Sequence, residues 1–552
     1  MTPQPHRTVL RGGVIVDGTG MPRRRADVEI AGDRIGLIGE VGERPGDVVV
    51  DATGRFVMPG FVDAHAHVDG RVFDPEVQLT LLRQGVTTVI GGQDGVSYAP
   101  GDGEWASRYF AAINGPHPTY VGGGVAELLG SYDDATALNV GYLVPAGTVR
   151  HEVMGMSTEP ADAVQLAEMQ RLVADGLEAG ALGLSTGLDY VPGIFAGTDE
   201  LARLCVPVAA AGALYVTHMR GGYETNTAAG LAEVVAICTA DVHDGVRGHV
   251  SHLHVDADAA ERLLADAAAA GADLTFDMYP YTRGCTLVSM AVLPPEYSAL
   301  DVDDAVARLT DPVERARLRG EWFPAVADKP SLGPEWPSMI RVGHTPSPDW
   351  EWAPGLTLAE IADRRGTDVV DATLDLLVAA RLEVNAVMAV RDERSVDNLA
   401  HLFALDGHTG GSDGIFVGAV PHPRAAGSFA RLLSTYVGRS FGWEGAAVHL
   451  AARPAERFGL DGRGVLRPGA VADMAIVDPV RAADTATYDD PRALAVGIED
   501  VFVNGVAVLR DGALTGALAG RGLRRAGSAA GIHSPSSHPL PLSQPAPARR
   551  GS

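Results

Sequence analysis

From residue 57 to residue 412 the chain alternates short apolar runs with longer Ala/Leu-rich stretches. The runs at 57–63, 87–91, 139–144, 181–185, 214–218, 247–252, 273–277 and 407–412 are bounded by glycine or polar residues, as buried strands are. In the stretches 162–179 and 228–240 apolar residues recur at helical spacing, which predicts amphipathic helices between strands. Eight strands with helical connections in one unit predict an α/β fold, a (β/α)₈ barrel of the TIM type. A doubly wound open sheet is the alternative, but no Gly-x-Gly-x-x-Gly follows a first strand.

The two ends have a different texture. Val14, Val16, Val28 and Ile30 alternate with small or polar residues, and Asp17-Gly18 and Ala31-Gly32-Asp33 mark turns. The same pattern returns at Asp473–Val477 and Val501–Gly505. These ends predict a small β-sandwich built from residues 1–56 and 461–526, around a barrel over 57–460. Residues 284–356 interrupt the barrel rhythm with many prolines and four of the six tryptophans (Trp322, Trp336, Trp350 and Trp352). Such a segment after a barrel strand reads as an inserted lid, with an oligomer contact as the alternative. The Ser/Pro/Ala-rich tail, 527–552, has few large apolar residues to offset its ordering entropy and is expected to be disordered.

Composition narrows the function. A net charge of −26 argues against a nucleic-acid partner, because phosphate binding needs a basic surface. Cys205, Cys238 and Cys285 are odd in number and widely spaced, so they make no disulfide framework, and a reducing cytoplasm suits them. No apolar run approaches the roughly 20 residues of a membrane span, and Met1 to Leu10 offers no apolar h-region, so a soluble, unexported protein is expected. Lys329 is the only lysine, so any lysine chemistry would have to use a residue of the insert. Oligomeric state is left open.

Candidate chemistry gathers at the strand ends, where barrels of this type place reactive groups. His65 and His67 follow the first strand at i, i+2, a spacing that brings two side chains to one face. Gln93-Asp94-Gly95 follows the second strand, and His218 ends the fifth. Ser251-His252-Leu253-His254 ends the sixth, and Ser412-Asp413-Gly414 the last. Imidazole and carboxylate ligands at separate strand ends suit zinc or a harder divalent ion.

Several motifs carry a family resemblance. They include PGFVDAHAH at 59–67, GVTTV at 85–89, GALGLSTGLDYVPG at 180–193, THMR at 217–220 and SHL at 251–253. DMYPYT at 277–282, SDG at 412–414, HPR at 422–424, RPAERFGL at 453–460 and ADMAIVD at 472–478 extend them. Over roughly residues 8–525 the chain resembles the amidohydrolase superfamily, and within it the N-acyl-D-amino-acid deacylases (D-aminoacylases). The resemblance implies a small-molecule amide substrate and one or two divalent metals, Zn²⁺ with Mn²⁺ or Co²⁺ as alternatives. It makes His218 and His252 ligands of a tightly held metal and His65 and His67 ligands of a second site. It makes Asp413 the general base and acid and a member of the metal site, and Tyr190 a contact of the substrate carboxylate.

Two positions depart from the family pattern. Asp94 stands where the family has a cysteine that bridges the metals, so a carboxylate bridge is expected, with an unbridged single metal as the alternative. His254 replaces the lysine that grips the substrate carboxylate, which leaves Arg220, Arg424, Tyr281 and His254 itself as candidate contacts. Arg150 is a further candidate, with a structural ion pair as its alternative. The expected activity is metal-assisted hydrolysis of an N-acyl-D-amino acid or a related N-acyl compound. The alternatives are hydrolysis of another C–N bond and, on the same fold, a non-catalytic binding protein. The tryptophans of the insert point to an apolar or aromatic N-substituent.

Overall fold

A computed structural model describes residues 7–329, 332–525 and 527; the tail expected to be disordered lies, Gly527 apart, outside the described residues. Each of the eight apolar runs overlaps a barrel strand. In order they are Phe61–Asp63, Val86–Gly91, Asn139–Pro145, Gly183–Gly187, Leu214–His218, Arg247–Val250, Leu274–Met278 and His408–Gly410, parallel and paired in sequence order. Nearly every residue in them is buried. Helices cover one face and packed side chains fill the other, which is why the runs lack the exposed polar positions of a strand with one face in water. The first and last strands meet through the Ala64 N–H, which donates to the Gly410 carbonyl at 3.0 Å, and through a short parallel pair, Ala66–His67 with Gly414–Ile415. This seam sets His67 beside Asp413.

The predicted helices form at Ala163–Glu178 and Thr227–Cys238. Asp162 and Gln165 make a reciprocal capping box at the start of the first, which fixes its register against the barrel.

The run 57–63, expected as one strand, is two. Phe56–Pro59 leaves the barrel to pair in parallel with Val14 and Ile15 and antiparallel with Met474–Val477. Gly60 makes the break, because a Cβ there would fall 2.2 Å from Thr87 Oγ1. Through Phe56–Pro59 the two chain ends join in one nine-stranded sheet rather than two separate ones. Leu10, Val28, Ile35, Val57, Met474 and Phe502 give this sheet its own core.

The insert is a folded unit. Gly284–Leu287, Asn385–Met388 and Ile340–His344 form a three-stranded antiparallel sheet with the second in the middle, so the unit reaches beyond residue 356. Val288, Trp336, Trp350, Ile361, Leu374 and Leu377 build a core separate from the barrel's. No helix among the described residues is long and apolar enough to cross a membrane.

Candidate metal centre

Four histidines converge on one carboxylate at the barrel mouth. Asp94 Oδ1 lies 3.7 Å from His65 Nε2 and 4.0 Å from His252 Nε2, and its Oδ2 lies 3.5 Å from His67 Nε2 and 3.8 Å from His218 Nδ1. Asp413 Oδ1 stands 3.6 Å from His65 Nε2 and 3.3 Å from His67 Nε2, while His218 Nδ1 and His252 Nε2 are 3.2 Å apart. Zinc holds N and O ligands at about 2.0–2.2 Å, so two ligands of one tetrahedral ion stand roughly 3.3–3.6 Å apart. Most of these separations are close to that edge length. His65 Nε2, the ring nitrogen that faces the cluster, and Asp94 Oδ1 are buried without a hydrogen-bond partner, which in a polar cluster marks a place for an ion. The residues present fit a divalent metal.

The local backbone is bent to make this possible. Asp94, His252 and Asp413 all have left-handed φ, at 56°, 34° and 48°, a conformation that costs energy in a non-glycine residue and concentrates at functional sites. The turn carrying Asp94 rests on the fourth strand, where a Cβ on Gly187 would fall 2.1 Å from the Asp94 carbonyl oxygen. Glycine in the GLSTGLDY run therefore lets Asp94 reach the cluster.

Outer partners aim the rings. Asn114 Oδ1 lies 3.2 Å from His67 Nδ1, which turns Nε2 toward Asp94 and Asp413. Asp189 Oδ2 lies 3.2 Å from His218 Nε2 and is held by the N–H groups of Gly221 and Gly222. Asp277 Oδ2 lies 3.5 Å from His65 Nδ1 and 3.1 Å from His249 Nε2, and its Oδ1 accepts from the His252 N–H. Such carboxylate–histidine contacts fix tautomer and orientation. Burial alone would raise the carboxyl of Asp94, but His65, His67 and His218 outweigh it and hold it well below the usual range. At Asp413 burial is likewise outweighed, by Arg424, His252 and His67. Burial pushes His252 down to about 4, leaving a neutral ring with a lone pair to offer. His67, against the opposing effect of burial, is held up at about 10 by Asp413 and Asp94, so the cluster favours positive charge between its groups.

A cavity of about 520 Å³ opens over the cluster, a volume that suits a small molecule. The barrel mouth contributes His67, Asp94, His218, His252, Asp413 and Arg424 to its lining, and the insert contributes Thr286, Met290, Leu293, Trp322, Lys329 and Leu332.

Residues 48–320 match the profile of the amidohydrolase family. The D-aminoacylase of Alcaligenes xylosoxydans xylosoxydans is 33% identical over 95% of this chain and 98% of its own. The N-acyl-D-glutamate deacylase of the same organism is 35% identical over 95% of this chain and 97% of its own. This chain belongs to the amidohydrolase family, in its D-aminoacylase branch. A crystal structure of the Bordetella bronchiseptica N-acyl-D-glutamate deacylase, complexed with zinc and a phosphonate mimic of the tetrahedral intermediate, superposes with a TM-score of 0.77. It is 32% identical and covers 94% of this chain and 99% of its own.

In this amidohydrolase the predicted substrate contacts divide. Tyr190 lines the cavity, its hydroxyl 3.1 Å from Thr286 Oγ1 and its ring centroid 5.3 Å from that of His218. Arg424 lines it too, with Nη1 2.8 Å from Asp413 Oδ2 and its guanidinium 4.5 Å over the Tyr279 ring. His254 lines it with both nitrogens taken. Arg394 Nη2 donates to Nδ1 at 2.6 Å, so Nε2–H faces the Tyr279 hydroxyl, also at 2.6 Å. Burial and then Arg394 push its pKa well below the usual histidine value, so His254 does not replace the charge of the family lysine.

Three others lie outside the cavity lining. Arg150 is fully committed to Glu200 Oε1 at 3.0 Å and to the carbonyls of Ser157 and Glu159 at 2.6 Å each. Arg220 ties Glu233 at 3.1 Å to the carbonyls of Ile194 and Ala196. Tyr281 packs between His422 and Arg431, because the strand ends at Met278 and Pro280 breaks the alternation that would align it with Tyr279. The tryptophan expectation is corrected as well: Trp336 and Trp350 are buried in the insert core, Trp352 stacks on Trp350, and of the four only Trp322 lines the cavity. Asn114, Asp189, Asp277, Tyr279 and Arg394 were not singled out by sequence. Asp189 and Asp277 sit inside the quoted motifs GLSTGLDY and DMYPYT, and that position was the available signal.

Proposed function

We propose that this amidohydrolase removes the acyl group from an N-acyl-D-amino acid by adding water across the amide. The observation that carries the reading is the cluster itself: four histidines and two aspartates, left-handed at three positions, under a cavity of small-molecule size. The activities of the D-aminoacylase and deacylase relatives support the substrate class. Asp94, central to all four rings, would hold one or two divalent ions together with His65, His67, His218 and His252. A carboxylate is a harder donor than thiolate and would favour Mn²⁺ or Co²⁺ alongside Zn²⁺. The chemistry such an ion would supply there is a lowered pKa of bound water and a polarised acyl carbonyl.

Asp413 takes one proton from the attacking water as its oxygen bonds to the acyl carbon. The C–N bond then breaks and Asp413 gives that proton to the leaving nitrogen. The products are a carboxylic acid and a free D-amino acid. Arg424 and Tyr190 bind the α-carboxylate and so orient the amide over the cluster, while the insert shields it from bulk water. Three free, buried cysteines support a reducing compartment, the cytoplasm.

The test is amine release from paired N-acetyl-D- and N-acetyl-L-amino acids with Zn²⁺, Mn²⁺ or Co²⁺ added. D-substrates are expected to turn over, and Asp413→Asn to lower kcat by about 10²–10⁴-fold, with metal content measured in the same samples to separate lost base from lost metal. Turnover of cyclic amides alone, with every N-acyl amino acid left intact, would overturn the substrate class and leave the metal centre standing.

A further inference from the structure

Of the 44 lysine and arginine side chains in this protein, a single one is lysine. Lys329 follows the insert helix Phe323–Ala327, is half-buried, and lines the cavity wall with Leu293, Trp322 and Leu332. Its Nζ donates to the Ala291 carbonyl at 2.9 Å. An ammonium has three donors, so this contact leaves two for other acceptors. Among the described residues no carboxylate pairs with it. Asp189, whose field reaches Lys329, is engaged by His218 Nε2 at 3.2 Å and by the N–H groups of Gly221 and Gly222 at 2.6 and 2.9 Å. Glu224, also on the cavity lining, has Arg394 as the nearby cation. A charge facing an apolar wall is costly unless an anion or hydrogen-bonding oxygen meets it.

We infer that Lys329 binds a second carboxylate of the substrate, remote from the amide that is cut. This rests on the deacylase reading. The first carboxylate, next to the scissile amide, is served by Arg424, whose guanidinium is 2.8 Å from Asp413. Lys329 enters the cavity lining from the insert, whereas Arg424 enters it from the helix that follows the last barrel strand. Two substrate groups carry such a distant carboxylate: the side chain of an acidic D-amino acid, and the far end of a dicarboxylic acyl group.

The experiment compares the metal-loaded wild type, Lys329→Met and Lys329→Arg on N-acetyl-D-leucine, N-acetyl-D-glutamate and N-succinyl-D-leucine. The readout is the kcat/KM ratio of each charged compound to N-acetyl-D-leucine. Loss of a charge-assisted contact lowers one ratio by about tenfold or more in Lys329→Met, mainly through KM, with Lys329→Arg retaining most of it. The glutamate ratio falling identifies the side chain as the source, and the succinyl ratio identifies the acyl end. Both ratios staying within about twofold of wild type overturn the assignment. Calorimetric binding of the same compounds to full-length Asp413→Asn, with and without Lys329→Met, reads Lys329 without turnover. If wild type cleaves none of the three, the deacylase reading fails on its own. A charged-ligand preference that Lys329→Met removes still supports the carboxylate site, and no preference in either protein rejects it.

Discussion

The barrel mouth and the insert face each other across one cavity and are built on opposite principles. At the mouth, charged and imidazole groups are packed at 3.2–4.0 Å separations at the strand ends, and outer partners aim the rings of His67 and His218. The insert has its own apolar core and its own three-stranded sheet, and it presents a mostly apolar wall interrupted by Lys329. The mouth gathers backbone strain and buried charge around a place that fits an ion, whereas the insert uses ordinary hydrophobic packing to present a surface. The difference teaches that the two sides of the cavity rest on separate cores, and that mutations in the two regions should separate too.

The largest effect that would break this comparison comes from emptying the insert core. Leu377 is fully buried there. Leu377→Ala is expected to cost about 2–5 kcal/mol, seen as an earlier transition in urea unfolding followed by tryptophan fluorescence. Metal content should hold while kcat/KM falls, because the ligands all sit on barrel strand ends and the adjoining turns. Metal lost together with the insert would show that the two regions form one cooperative unit after all.

The contrast also explains what could be read from sequence. The barrel strands are buried at nearly every position, so each leaves a short run of apolar, small and buried polar residues, and the clustered side chains follow the ends of those runs. That His65, His67, Asp94, His218, His252 and Asp413 lie together was legible for that reason. Asn114 and Arg394 lie in segments with no periodic signal, and their roles depend on which loop the fold brings beside which ring. Arg150 and Arg220 show the converse. Both were candidate substrate contacts, Arg220 from the THMR motif, yet each nitrogen of both guanidinium groups is bonded to a nearby carbonyl or carboxylate. Sequence places an arginine but does not count the acceptors around it.

A smaller effect sharpens the mouth's side of the comparison. Asp277 is fully buried and touches both His65 and His249 without facing the cavity. Asp277→Asn keeps the shape but removes the carboxylate that orients His65. Metal affinity is expected to weaken by about 10–100-fold, measured by competition with a chromogenic chelator. Preference among acyl groups should be unaltered, since the insert wall is untouched. A changed acyl preference with unchanged metal affinity would place Asp277 in the wrong region.

The smallest effect tests whether the insert wall selects by apolar contact. Trp322 lines the cavity, its ring held by Nε1–H donating to the Val292 carbonyl at 2.9 Å. Trp352 stacks on Trp350, with the Arg364 guanidinium 4.3 Å from its ring, away from the cavity lining. Trp322→Ala should lower the kcat/KM ratio of an N-benzoyl to an N-acetyl substrate by about tenfold, the scale of a lost apolar contact in a pocket. Trp352→Ala should leave that ratio within about twofold, with its cost appearing in stability instead. Equal shifts in both variants would mean that insert packing as a whole, rather than the residue on its inner face, sets the acyl preference. The division between a strained mouth and a selective wall would then have to be redrawn at the insert core.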